Sequence, residues 1–204
     1  MLLLLPLFMT VPFAGPGWRG QPTCFDRTIR PSLTHLLISM HTLYLLRHAA
    51  AEPPEYYDDD QDRELSTDGA RDARRLGRFL SATDQLPDQI IASTATRARQ
   101  TAEELPEGGE WMADVPLRTS HTFYEAQPAD VLDEVQSTDD DVRALLLVGH
   151  EPTWSTTVSQ LVGAANVSLP PGTCVRINAA VDRWANLSFG DGTLHWMIPP
   201  TLLS

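Results

Sequence analysis

Beyond residue 40 the chain alternates short apolar runs with stretches whose apolar residues recur at helical spacing. The run at 43–46, Leu-Tyr-Leu-Leu, predicts a strand, as do 89–92 and 144–148. The last of these has no polar break, the pattern of a parallel strand buried on both faces. After the first run comes a polar, acidic loop at 49–64, and then Ser66, placed as a helix N-cap with Asp68 in the first turn. Ala70, Ala73, Leu76, Gly77 and Leu80 then fall on one face, with Arg71, Arg74, Arg75 and Arg78 on the others. That spacing predicts an amphipathic helix with a solvated arginine face. A second helix is expected over 96–105, a third strand over 115–117, and a short helix over 129–136 with Leu132 and Val135 inward. Pro152 sits where a helix can begin, and 154–162 continues it to Gly163 as a stop. The tail changes character: 174–180, 184–189 and 194–198 read as β-type runs separated by turns such as Gly190-Asp191-Gly192. Such alternation predicts an α/β fold, a three-layer sandwich with a mostly parallel central sheet and helices on both faces. The last strands are expected to extend its edge in antiparallel fashion.

Composition narrows the picture. With 204 residues and 42% hydrophobic content the chain can build one domain with a sizeable core. The net charge is −12 and every one of the 15 basic residues is arginine, which argues against nucleic-acid binding through a general basic surface. An acidic, lysine-free surface suits a salt-rich cytoplasm, and a GC-rich genome would favour arginine equally. Cys24 and Cys174 have neither disulfide nor zinc spacing and read as unpaired thiols in a reducing, cytoplasmic compartment. The first forty residues stand apart, with Arg19, Arg27 and Arg30 against the single acid Asp26. Their apolar opening resembles a signal-peptide core, but no positive charge precedes it. Pro6, Pro12 and Pro16 break it into runs too short to span a bilayer. Met40 lies immediately before the first strand. The expectation is therefore that translation starts at Met40, that 1–39 is an over-extended gene model, and that 40–204 is the functional domain. A signal or lipid-anchor sequence and a disordered arm are the alternatives for 1–39.

Three apolar runs deliver arginine or histidine at or just past their C-terminal ends: Arg47-His48, Arg97 in the segment that follows Ile90-Ile91, and His150. Ligands of open α/β sheets bind at that end. Two arginines and two histidines converging there form a pocket for a phosphoryl group. Arginine offers planar, bidentate donors that stay charged. A neutral histidine can attack phosphorus, and a second, protonated one can donate to the transferring oxygens. The scheme requires no metal or cofactor. Asp58–Asp60 are read as a flexible acidic loop, not as metal ligands, that tunes which phosphorylated surfaces approach. Arg99 and His35, His41, His121 and His195 have no motif around them and are expected to be structural or exposed.

Leu-Leu-Arg47-His48-Ala49, Ser93-x-x-x-Arg97-Ala98-x-x-Thr101 and Val148-Gly149-His150-Glu151-Pro152 together resemble the histidine phosphatase (phosphoglycerate mutase-like) superfamily, over nearly all of 40–204 and in the family's order. Arg63-x-Leu65-Ser66-x-x-Gly69, the short stretch between the second and third motifs, and the ending Gly192-Thr193-Leu194-His195-Trp196 resemble its compact SixA-type phosphohistidine phosphatases. The resemblance implies a phosphoglycerate mutase-like fold, His48 as nucleophile, and Arg47, Arg97 and His150 around the phosphate. Ala49 departs from the glycine common there, by one methyl group. Larger members protonate the leaving oxygen with a carboxylate, and Glu125 stands where such a group is expected. A surface glutamate opening the next helix is the other reading. The implied activity is a metal-independent phosphatase, acting on a protein-borne phosphohistidine because no long insertion builds a lid. A small-metabolite phosphomonoesterase and a silent phosphate-binding module are the alternatives. The implied partner is a phosphorylated protein or metabolite, with no nucleic acid or membrane, and the chain itself a monomer or weak dimer.

Overall fold

In the computed structural model, which describes residues 40–109, 111 and 115–203, the apolar runs become strands in the order expected. The elements are β1 (His41–Arg47), α1 (Thr67–Ala82), β2 (Gln89–Ser93), α2 (Thr96–Gly109), β3 (Leu117–Ser120), α3 (Pro128–Gln136), β4 (Ala144–Gly149), α4 (Thr153–Leu161), β5 (Cys174–Ala179) and β6 (Gly192–Ile198). They form one sheet ordered β3-β2-β4-β1-β5-β6. The first four strands in that order are mutually parallel, and β5 joins antiparallel to β1 and to β6.

Because side chains alternate along a strand, each central strand feeds two cores. Leu43, Leu45, Leu145 and Leu147 pack with Val131 and Val135 of α3 and with Trp154 and Val158 of α4. Tyr44, Leu46, Leu146 and Val148 pack on the opposite face with Leu76 and Leu80 of α1 and Ala98, Ala102 and Leu105 of α2. The three-layer sandwich with helices on both faces follows. Burial of each large side chain contributes about 1.5–3 kcal/mol. Ser66 caps α1 as expected, its Oγ accepting from the Gly69 N–H at 3.1 Å.

Several elements differ in detail from the sequence reading. The tail segment at 184–189 is not a strand. Trp184–Asn186 forms a 3-10 turn in which Trp184 and Leu187, three residues apart, are buried while Phe189 is exposed. The Trp184 indole N–H donates to the Val142 carbonyl at 2.7 Å. The third strand lies at Leu117–Ser120, not 115–117, on the sheet edge, where most of its residues are partly or fully exposed. α2 runs on through Pro106 to Gly109, and the residues α3 buries are Val131 and Val135, with Leu132 half-buried. α4 stops before Gly163, whose φ of +86° is the left-handed conformation that ends helices.

Cys174 is a buried free thiol, its pKa pushed up by burial. No helix among the described residues is long and apolar enough to cross a membrane. Segment 1–39, with Cys24, His35 and the question of where translation begins, lies outside the described residues.

Candidate active site

β2, β4 and β1 are neighbours in the sheet, so their C-terminal ends open onto one place. Arg47 stands in register with Gly149, and the His48 N–H donates to the Gly149 carbonyl at 3.0 Å. The chain then leaves the ladder with His48 directed at the neighbouring strand ends. Its Nδ1 lies 2.8 Å from the Ala49 carbonyl, which makes Nδ1 the protonated nitrogen and Nε2 the one with a free lone pair. Arg97, in the first turn of α2, directs its Nε at that lone pair from 3.3 Å. The His150 ring lies 5.0 Å from the His48 ring, centroid to centroid. Arg47 spends one Nη on the Leu169 carbonyl at 2.7 Å, while its Nε is buried with no protein partner.

All four residues predicted from the strand ends are thus brought together, and the spacing within their motifs acquires reasons. Ser93 Oγ lies 2.9 Å from His150 Nε2. Thr101 donates its hydroxyl to the Arg97 carbonyl at 2.6 Å and accepts from the Ala49 N–H at 3.1 Å, tying the start of α2 to the residue after His48. Leu65 N–H donates to Gln100 Oε1 at 2.7 Å, and the Ser66 N–H and Oγ both bond to the Ala50 carbonyl. At Gly69 a Cβ would come within 2.0 Å of that same carbonyl, so no side chain fits.

Burial drives the His48 pKa down to about 4, against the Ala49 hydrogen bond and with help from Arg97, Arg47 and Arg63. His150 is driven down to about 3, again by burial first and then by His48 and Arg97. In the field of the protein alone both rings are neutral near pH 7. At His150 the desolvation and the cationic neighbours outweigh the Asp60 charge, which favours the imidazolium. Its Nδ1 is buried without a partner.

Asp60 is the residue that sequence reasoning missed. In place of a flexible acidic loop the structure shows a fixed turn, where the Arg97 Nη1 donates to the Asp60 backbone carbonyl and the Nη2 to its Oδ2 at 2.8 Å. Its other carboxylate oxygen accepts from Arg63 at 2.8 Å, and Arg63 in turn donates to the Glu52 carbonyl at 3.0 Å. Hydrogen bonds from Arg63, then the charge and bonds of Arg97, hold the Asp60 carboxyl below the usual carboxylate range. The Asp-x-x-Arg spacing at 60–63, which pairs charges across one turn, was the available signal.

Glu125 is exposed and lines a cavity of about 350 Å³ together with Tyr124, His150, Glu151 and Thr153. Tyr124 sets its ring edge-on to His150, 5.9 Å between centroids. Among the described residues no group of three or more histidine, cysteine or acidic side chains gathers as metal ligands. His41 is buried against Trp184, with Nδ1 3.0 Å from the Val181 carbonyl, while His121 and His195 are exposed. Arg99 pairs with Glu103 along the outside of α2.

Residues 43–127 match the model of the histidine phosphatase superfamily (branch 1). Over 110 residues the chain is 41% identical to an uncharacterised protein of Mycobacterium tuberculosis, an alignment covering 54% of this chain and 65% of that one, so the chain spans just under two thirds of that relative's length. Among solved structures, the Nakamurella multipartitia protein described as a SixA phosphohistidine phosphatase superposes with a TM-score of 0.68 at 28% identity, over 79% of this chain and 96% of that one. A mycobacterial glucosyl-3-phosphoglycerate phosphatase shares the fold at a TM-score of 0.55 and 14% identity, over 76% of this chain and 97% of that one. Fold alone therefore does not choose between protein-borne and small phosphorylated substrates.

Proposed function

This chain belongs to the histidine phosphatase superfamily, and on that premise we propose that it hydrolyses phosphoryl groups through a phosphohistidine intermediate on His48. The observation that carries this reading is the His48 imidazole itself, with Nδ1–H held by the Ala49 carbonyl and the Nε2 lone pair facing Arg97. A neutral Nε2 attacks phosphorus in line, the bond from phosphorus to the leaving oxygen or nitrogen breaks, and the leaving group takes a proton. Water then attacks phosphorus, Nε2 leaves, and inorganic phosphate is released. Arg47 and Arg97 hold the equatorial oxygens with fixed charge, the part a metal plays elsewhere in phosphoryl transfer. An incoming dianion supplies the negative charge that His150 lacks in the protein alone, so His150 becomes a donor as substrate binds. Glu125, on the cavity beside His150, is the proposed proton donor to a poor leaving group.

We further propose that the substrate is a protein-borne phosphohistidine. The likeness to a SixA protein and the cavity beside His150, without any long inserted segment in the sequence to close over it, support that choice. The test is to offer the purified protein a phosphohistidine-bearing carrier protein beside a panel of phosphorylated metabolites, with His48→Ala as control. Faster turnover of the carrier, abolished in His48→Ala while the fold survives, is the expected result. A variant retaining more than about a hundredth of the wild-type rate, the range of acid–base effects alone, defeats the covalent assignment. Preference for a metabolite replaces the substrate, and no turnover of anything leaves a silent phosphate-binding module.

A further inference from the structure

We propose that Asp60 is a positioning residue for Arg97. Its carbonyl and carboxylate hold the end of the guanidinium, so that the Nε stays directed at His48 Nε2 and at the phosphoryl group transferred there. The proposal rests on the phosphatase reading of the site and adds to it a residue outside the four at the strand ends.

An arginine side chain surrenders rotamer entropy when held in one geometry. Its burial also demands hydrogen-bond partners. Arg97, only 7% exposed, meets both demands through one residue. Nη1 reaches the Asp60 carbonyl, Nη2 reaches Oδ2 at 2.8 Å, and Nε is left for His48 at 3.3 Å. Asp60 and the turn that carries it are held in turn. Arg63 binds Oδ1 at 2.8 Å, Gln61 Nε2 donates to Thr94 Oγ1 at 3.3 Å, and Asp59 accepts from the Gln61 N–H at 2.9 Å.

A carboxylate beside an anion site has two opposed effects: it orients the arginine, and it weakens the field the phosphate feels. Orientation dominates here. Arg63 shares the charge of the Asp60 carboxylate, whose side chain is half-exposed at 50% and screened by water. The direction of Arg97, by contrast, is set by two direct contacts at the end of its fork.

The experiment is a double-mutant cycle on Asp60→Ala and Arg97→Ala. It is read by kcat and KM on an aryl phosphate and by calorimetric binding of inorganic phosphate, with Tm measured for every variant. Asp60→Ala is expected to lower kcat about 10- to 100-fold, the scale of a misplaced catalytic group, and to weaken phosphate binding. Asp60→Asn, which keeps an oxygen acceptor, is expected to fall between it and wild type. In the Arg97→Ala background Asp60→Ala is expected to change nothing further, a silence that a merely structural residue would not show. Independent, multiplying effects overturn the proposal, and so does a faster Asp60→Ala that binds phosphate more tightly. Should Asp60→Ala not fold, the cycle runs with Asp60→Asn on the same criteria. If the wild type turns over nothing, the phosphatase reading has failed, and phosphate binding across the cycle still decides the role of Asp60.

Discussion

Replacing His48 by asparagine tests the electrostatics of the pocket without any assumption about substrate. The ordinary histidine pKa of 6.5 falls to about 4 for His48 and about 3 for His150. Between those values and 6.5 the unfolded chain binds protons that the folded site refuses, so stability is full above pH 6.5 and falls as pH drops. From pH 7.5 to pH 5.0 each depressed histidine costs about 2 kcal/mol of folding stability, at 1.36 kcal/mol per pH unit below the unfolded value. Asp60, Asp140 and Asp182, whose pKa values are lowered from 3.8, contribute stability that is lost only below that window. Asparagine offers an amide N–H near the position of Nδ1 and carries no titratable ring. Urea denaturation of wild type and His48→Asn at both pH values and one ionic strength isolates the effect as a difference of differences. The two rings titrate as a pair at 5.0 Å, so the variant is expected to lose about 2 kcal/mol less than wild type on acidification, or slightly more than that once His150 is freed of its neighbour. Equal losses in the two proteins would refute the argument and place His48 in water.

Glu125→Gln is expected to slow alkyl phosphates by about 10²-fold while sparing aryl phosphates and phosphohistidine, whose leaving groups need little protonation; equal effects on all three, measured as kcat/KM, would remove Glu125 from proton donation. Activity is expected to survive EDTA, because fixed guanidinium charge serves the phosphate; loss in chelator with recovery on adding a divalent ion would contradict this. A protein consisting of 40–204 is expected to fold and turn over like the full chain, checked by circular dichroism and aryl phosphate hydrolysis, and aggregation of the shortened form would show that 1–39 belongs to the working molecule.

Strand ends were legible because their signal is local and strong. A run such as Leu145-Leu146-Leu147-Val148 admits few environments, and whatever polar residue follows it must emerge at the sheet's C-terminal edge. Arg47, His48 and His150 were found this way, and Arg97 by its place just past the second such run. Where burial follows a different period, the reading failed. Trp184 and Leu187 are buried three apart in a 3-10 turn, which a period of two mistakes for a strand. β3 gave little signal because an edge strand of Leu-Arg-Thr-Ser buries little. For Asp60 the Asp-x-x-Arg spacing signals only the local pair with Arg63, because its role depends on a loop folding back over 37 residues of sequence to reach Arg97. No local pattern encodes such a contact.

The hydrogen bond from the His48 N–H to the Gly149 carbonyl, at 3.0 Å, has a consequence for how this molecule ages under stress and changes over generations. That N–H lies one residue beyond β1, against the central strands, whose hydrogen bonds open at free energies up to that of the whole domain. Heat inactivation and global unfolding are therefore expected to coincide at the nucleophile, with no earlier melting of the chemistry alone. Glu125 and Tyr124 sit instead on a 3-10 turn and the loop behind it. Insertions and substitutions there leave the β1–β4 ladder intact. Lineages carrying this fold have room to exchange substrates while the phosphoryl-transfer centre stays fixed, because the two are attached to parts of the chain that yield at different free energies.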